Sequence, residues 1–137
     1  MTLEIRTITA AQTLDLRQRV LWPQKSRSEM ILPKDDTALH FGAFQGEALV
    51  GVSSFFKDTE QTFRLRKMAV EPRVQGKGIA RAVILAAATH IERIGGRSIW
   101  CDARVSAVGF YQKCGFSVDT IVFEKSGLDY VKARLHL

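Results

Sequence analysis

Cysteine is nearly missing from this chain of 137 residues. Cys101 and Cys114 are too few for a disulfide framework, and their spacing matches no metal motif. They are expected to be reduced thiols of a cytoplasmic protein, and no metal is expected. Also missing is any apolar run near the roughly 18 residues of a membrane helix. The opening Met-Thr-Leu-Glu-Ile-Arg lacks the basic-then-apolar pattern of a secretion leader. Repeats and low-complexity tracts are absent too. The net charge is +6, yet Lys and Arg are scattered, with neither a basic run nor basic residues interleaved with aromatics. A nucleic acid is therefore not the expected partner. A ligand bearing several phosphates is as good a reason for positive charge, and most of these residues read as a solvated surface.

What is present is an ordinary globular composition, 46% hydrophobic and 25% charged, at a length that suits one domain spanning 1–137. Alternation predicts a strand over 3–8. Thr9 and Gln12 then form a capping box for a helix whose stripe is Leu14, Leu16, Val20 and Leu21 and whose end is Pro23. Residues 24–36 are polar, with a short helical turn expected at Met30, Ile31 and Leu32. Strands are expected over 37–44, 49–56 and 63–70, the first two forming a hairpin through Gln45-Gly46-Glu47. A long helix over 77–94 repeats apolar residues at three-and-four spacing and stops at Gly95-Gly96. A strand over 97–102, a short helix over 105–113 and strands over 116–123 and 129–137 complete the chain. The order describes an α/β domain with a mixed, mostly antiparallel sheet of six or seven strands.

Two stretches carry chemistry. The first runs Met68-Ala-Val-Glu-Pro-Arg-Val-Gln-Gly-Lys-Gly-Ile-Ala-Arg81. Pro72 ends the strand. Gly76 and Gly78 lack a Cβ, and the following helix begins with unpaired N–H groups and a positive dipole end. Together these make a site for a pyrophosphate, although a flexible entry into a helix would look the same. A Walker loop is excluded because Ile79 stands where its hydroxyl belongs, and a dinucleotide-binding turn because Arg81 stands where its third glycine or alanine belongs. Gln75-x-x-Gly78-x-Ala80 instead resembles the pyrophosphate loop of the GNAT superfamily of N-acetyltransferases. The second stretch, Ala107-Val-Gly-Phe-Tyr-Gln-Lys-Cys-Gly-Phe116, resembles that superfamily's Ala-x-x-Phe-Tyr-x-x-x-Gly-Phe signature, in the right order downstream.

The resemblance implies a GNAT fold, with a V-shaped split between strands 63–70 and 97–102 that admits the pantetheine arm of acetyl-CoA. A bulge near Met68–Val70 would create the split. Met68 N–H would face the acetyl carbonyl, with Ala69 beside it, and the Val70 backbone would hold a pantetheine amide. The N–H groups of Gln75, Gly76, Lys77, Gly78, Ile79, Ala80 and Arg81 would hold the pyrophosphate, with charge from Lys77 and Arg81. The implied reaction is acetyl transfer to a primary amine of a small molecule or protein, with Tyr111 protonating the leaving thiolate. Outside that frame Tyr111 reads as a core aromatic. Arg104 replaces the family's usual Asn and would pair with a phosphate or with Asp102. The base is open between Asp129, Tyr130, His40 and a water relay, with Glu71 expected to point away. Residues 24–36 border the acceptor site in such folds; their shortness implies an open cleft, and Trp22 is a candidate to line it. The alternative reading is a non-catalytic acyl-CoA sensor. Relatives often form homodimers, so one is possible here.

Overall fold

The computed structural model describes residues 2–137. Alternation does produce the first strand, β1 (Leu3–Ile8), and the Thr9–Gln12 capping box starts α1 (Ala10–Leu16). The helix then widens into a π-turn at Arg17–Leu21, and a 3-10 turn follows at Ser28–Met30. Next come β2 (Leu39–Gln45), β3 (Ala48–Lys57), β4 (Thr62–Val70), α2 (Ile79–Arg93) and β5 (Ser98–Arg104). The chain closes with α3 (Val108–Lys113), β6 (Ser117–Val118), β7 (Phe123–Lys125) and β8 (Leu128–His136).

All strands share one eight-stranded sheet in the order β1-β2-β3-β4-β5-β8-β6, with β7 also on β8. Neighbours pair antiparallel except β4 and β5, which run parallel. The strand expected over 116–123 is a correction: it breaks into β6 and β7, which share one edge of β8. Asp119 leaves the ladder after its N–H reaches Lys132 O at 2.8 Å, and Ile121 and Val122 find no face to bury and stay exposed.

Each face of the sheet has its own packing. Ile79, Val83, Ile84, Ala87 and Ile91 of α2 bury against Phe63, Leu65 and Ile99 on one side. On the other, Leu16 of α1 meets Val52 and Ala69, flanked by Val20 and Leu21. That second face is covered only near β1–β4; across β5, β8 and β7 it carries polar and aromatic side chains.

The sheet opens in its middle. β4 and β5 pair through Thr62 with Ser98, Phe63 with Ile99 and Arg64 with Trp100, and no further. Beyond Arg64, β4 keeps only β3, while β5 keeps only β8. The cause lies in β4. Its register with β3 jumps from Arg66–Ser54 to Ala69–Val52, which leaves one extra residue on β4. Lys67 sits in the bulge with φ +59°, and neither Lys67 nor Met68 has a ladder partner on either side. A bulge bends its strand and increases local twist, so β4 turns away from β5. The expected V-shaped split is present, and the bulge beside it begins at Lys67, one residue before the stretch named for it.

Candidate functional site

The wedge between β4 and β5 holds a cleft of about 770 Å³. Met68, Ala69 and Val70 form one wall, and Ala107, Phe110, Tyr111 and Cys114 of the α3 segment form the other. Gln75, Gly76, Gly78, Ile79, Ala80 and Arg81 form the rim where α2 begins. Eleven of the twelve residues expected from the sequence belong to these elements, and ten of them line the cleft; Lys77 is on the same loop but points to solvent.

The rim suits an anion for reasons of backbone geometry. Gly78 caps α2 in the left-handed region, φ +83°, with no side chain capping the helix, and no acidic residue stands in the first turn. The first N–H groups of a 15-residue helix are therefore unclaimed by side chains. Gly76 is also left-handed, φ +77°, and a Cβ built at either glycine would meet nothing within 4 Å. The space beside both glycines is open to a ligand. The Gln75 side chain has a task of its own. Its side-chain Nε2 donates to the Val70 carbonyl at 2.9 Å, tying the loop to the strand end. Its side chain braces the cradle while its backbone stays in the rim.

Tyr111 packs edge-on against Phe110 and Phe116, with ring centroids 5.0 and 5.3 Å away, and still reaches the cleft wall. Tyr111 is thus a packed aromatic that also lines the cleft. Burial, together with the neighbouring Cys101 thiol, pushes its phenol well above the usual range, so it is protonated at neutral pH. Burial also pushes the Cys101 thiol up to about 12.

Arg104 is not brought to the cleft. It ends β5 across from Tyr130, on the face shared with Trp100 and Asp102, and is exposed. Asp102 does not pair with it. Its carboxylate takes Arg64 at 3.0 Å, Lys125 at 3.1 Å and Lys132 at 3.0 Å. Burial opposes its ionisation, but the bonds from Lys132 and Lys125 outweigh burial and hold the carboxyl below its ordinary value.

Of the base candidates, His40 is committed elsewhere. It is buried, with Nδ1 2.7 Å from Ser54 Oγ and Nε2 2.7 Å from the Asp35 carbonyl. Glu71 does point away, into a bidentate pair with Arg19 at 2.9 and 2.8 Å that holds its carboxyl low. Asp129 is exposed and Tyr130 half-buried near the β7–β8 hairpin, and neither lines the cleft. The Trp22 ring carries the Lys25 ammonium at 4.3 Å.

Residues that sequence reasoning missed are Val20 and Leu21, which line the cleft from the other face of the sheet. They lie on the π-turn, a distortion often found near functional sites, whose helical stripe had marked them only as core. Phe110 and Cys114 were quoted in the motif without a role. Their spacing with Ala107 and Tyr111, three and four apart, is the signal that sets all four on one helix face.

The comparisons with known proteins agree with this geometry. The family model described as "Acetyltransferase (GNAT) domain" matches residues 8–137. The uncharacterized N-acetyltransferase YitI of Bacillus subtilis is 27% identical over 122 residues, covering 83% of this chain and 82% of that one. A crystal structure from Lactobacillus plantarum, provisionally assigned as an N-acetyltransferase, superposes with a TM-score of 0.87 at 19% identity, covering 100% of this chain and 99% of that one. A Bacillus subtilis acetyltransferase in complex with CoA superposes with a TM-score of 0.75 at 23% identity, covering 99% of each chain.

Proposed function

The chain belongs to the GNAT acetyltransferases, and on that premise we propose that it transfers an acetyl group from acetyl-CoA to a primary amine by direct attack. The observation that carries the reading is the wedge itself: a β4 that leaves β5 after Arg64, opening onto an uncapped helix start. The similar Bacillus subtilis structure with CoA supports the same co-substrate here. We take residues 1–137 as one acetyltransferase domain.

Acetyl-CoA supplies an activated acyl group as a thioester; the chain supplies position and protons. The N–H groups from Gly76 to Arg81 hold the pyrophosphate at the positive end of α2, while that of Gln75 donates to the Pro72 carbonyl at 3.3 Å. Ala69 and Val70 offer strand backbone to the pantetheine arm, as an added strand would use it. Their neighbour Met68 has no registered partner on β3 or β5, and we assign its N–H to the carbonyl oxygen gaining negative charge. Tyr111 gives its proton to the departing sulfur. A phenol raised by burial would be a poor acid for a thiolate in water. Burial disfavours a thiolate as it does a phenolate, so a sulfur leaving into the same cleft is also a stronger base than in water. No side chain stands out as the base, and we assign deprotonation of the amine to a water relay. We leave Arg104 out of the cofactor set, because it faces the acceptor side. A homodimer stays an expectation of the family resemblance and a cytoplasmic location one of the two cysteines; sedimentation velocity decides the first.

The test separates binding from chemistry. Tyr111→Phe should lower acetyl transfer by roughly 10²-fold or more while acetyl-CoA affinity holds. Gly78→Glu should weaken acetyl-CoA binding by roughly 10-fold or more by placing a carboxylate against the pyrophosphate. Calorimetric titration beside steady-state rates reads both. Equal losses for Tyr111→Phe would make it a packing residue. Tight CoA binding with no transfer to a broad amine panel would return the chain to the sensor reading.

A further inference from the structure

The acceptor must approach from the sheet face opposite α2, since α2 and its loop occupy the pyrophosphate side. The β4 lip of the wedge on that face is cationic. Arg64 stands at the last pair before the split, Arg66 follows on the same face, and Lys67 occupies the bulge beside Met68. Across the wedge lie Lys125 and Lys132. Asp102 is already claimed by Arg64 and both lysines, and Asp58 is taken up by the Trp100 indole N–H at 3.1 Å.

Arg66 and Lys67 have no carboxylate partner among the described residues, although both are only half exposed. Burial and the surrounding cations lower the pKa of both. Half-burying two cations without a counter-charge costs stability. Aromatic faces hold several of these cations in place. The Arg66 guanidinium lies 5.9 Å from the Phe56 centroid, and Arg64 and Lys132 lie 4.8 and 4.4 Å from that of Trp100. A solvated basic surface does not fix its charges on rings and withhold their partners beside a reacting centre.

We infer that the acceptor is a small amine that also carries an anionic group, a carboxylate or a phosphate, and that Arg66 and Lys67 bind that group. The inference rests on the acetyl-transfer reading and narrows it: polycationic amines are excluded by the same field that attracts an acid. A charge-assisted hydrogen bond to each cation orients the substrate with its amine toward Met68 N–H.

The experiment measures kcat/KM for acetyl transfer to matched pairs: tyrosine against tyramine for the carboxylate, phosphoethanolamine against ethanolamine for the phosphate, with spermidine as the polycation. The anionic member of at least one pair should be preferred by roughly 10- to 100-fold, and which pair responds identifies the group. Arg66→Gln and Lys67→Gln should erase that preference by raising the KM of the anionic member; thermal melting confirms that the variants fold. Preference for the neutral amine or spermidine overturns the inference and leaves acetyl transfer standing. So does an anionic preference that survives both substitutions. Transfer to none of the amines, with acetyl-CoA still bound, overturns the transfer reading and this inference with it.

Discussion

Two charged clusters adjoin on one face of the sheet, and they are built on opposite plans. In the first, Arg17 is fully buried, yet its guanidinium meets Asp35 at 2.7 and 3.0 Å, Ser54 Oγ at 2.8 Å and the Met30 carbonyl at 3.0 Å. His40 joins through Ser54 and the Asp35 backbone, and Leu32 N–H adds a bond to the carboxylate at 3.0 Å. Charge is matched one to one; Arg17 Nε alone lacks a partner there. The second cluster begins one strand away, where Arg66 pairs in register with Ser54. Its cations outnumber its carboxylates, and two of them have none. The closed cluster pins residues 17–40 to β3 and so fixes the π-turn that brings Val20 and Leu21 to the cleft. The open one spends stability without return inside the folded chain. That difference separates a polar group kept for architecture from one kept for a ligand.

The largest break in the comparison comes from Asp35→Asn. It leaves Arg17 charged in the interior without a counter-ion, and losing one partner of a buried pair costs about 3–5 kcal/mol. A fall in Tm on the order of 10 °C or more is expected in a thermal melt. A loss under about 1 kcal/mol would mean that Arg17 finds water, and the cluster would not be closed.

Acid should reproduce part of that break. Burial opposes ionisation of Asp35, but the Arg17 side chain and the Leu32 N–H outweigh it, so the folded carboxyl titrates below its ordinary value. Asp102 is shifted the same way. A carboxyl lowered by folding lends stability that is complete above its unfolded value, near pH 4, and is lost as pH falls through the folded value. The acid limb of the stability curve should flatten in Asp35→Asn. It should flatten less in Asp102→Asn, because Lys125 and Lys132 are about half exposed and screened by water. Urea melts between about pH 2 and 6 read this; equal flattening would place both clusters in one class.

The sequence made the local devices legible. The Thr9–Gln12 capping box, the helix stripe of α2 and the two signature stretches are patterns of neighbours, and each folds as its pattern requires. The split between β4 and β5 was reachable only through the family resemblance. Its cause is a left-handed lysine, and nothing about Lys67 in sequence favours that conformation over a strand. The broken strand over 116–123 was illegible for a related reason: Ile121 and Val122 have strand propensity, and only the missing face decides against them. Charge was the least legible of all. Arg17 and Arg66 are among the scattered basic residues that read, as a group, as a solvated surface. One is fully buried and the other lacks a partner, and both facts depend on residues far away in the chain.

The smallest expected effect is the one that sets the two clusters apart by sign. Burial and the nearby cations make the charged form of Lys67 less favourable in the fold than in the unfolded chain. Its folded titration therefore lies below its unfolded one, and the penalty is present at neutral pH and relieved only as pH rises through the folded value. Removing the charge in Lys67→Gln should raise stability, by up to about 1 kcal/mol, where Asp35→Asn lowers it severalfold more. Chemical denaturation at pH 7 and again near pH 10 checks the sign, since the gain should shrink at the higher pH. A loss of stability at pH 7 would reveal a counter-charge for Lys67 within the fold, and the open cluster would then be a second closed one. A gain would show that folding alone gives no reason for an ammonium beside the reacting centre, which leaves an anion from outside the chain as the reason it is there.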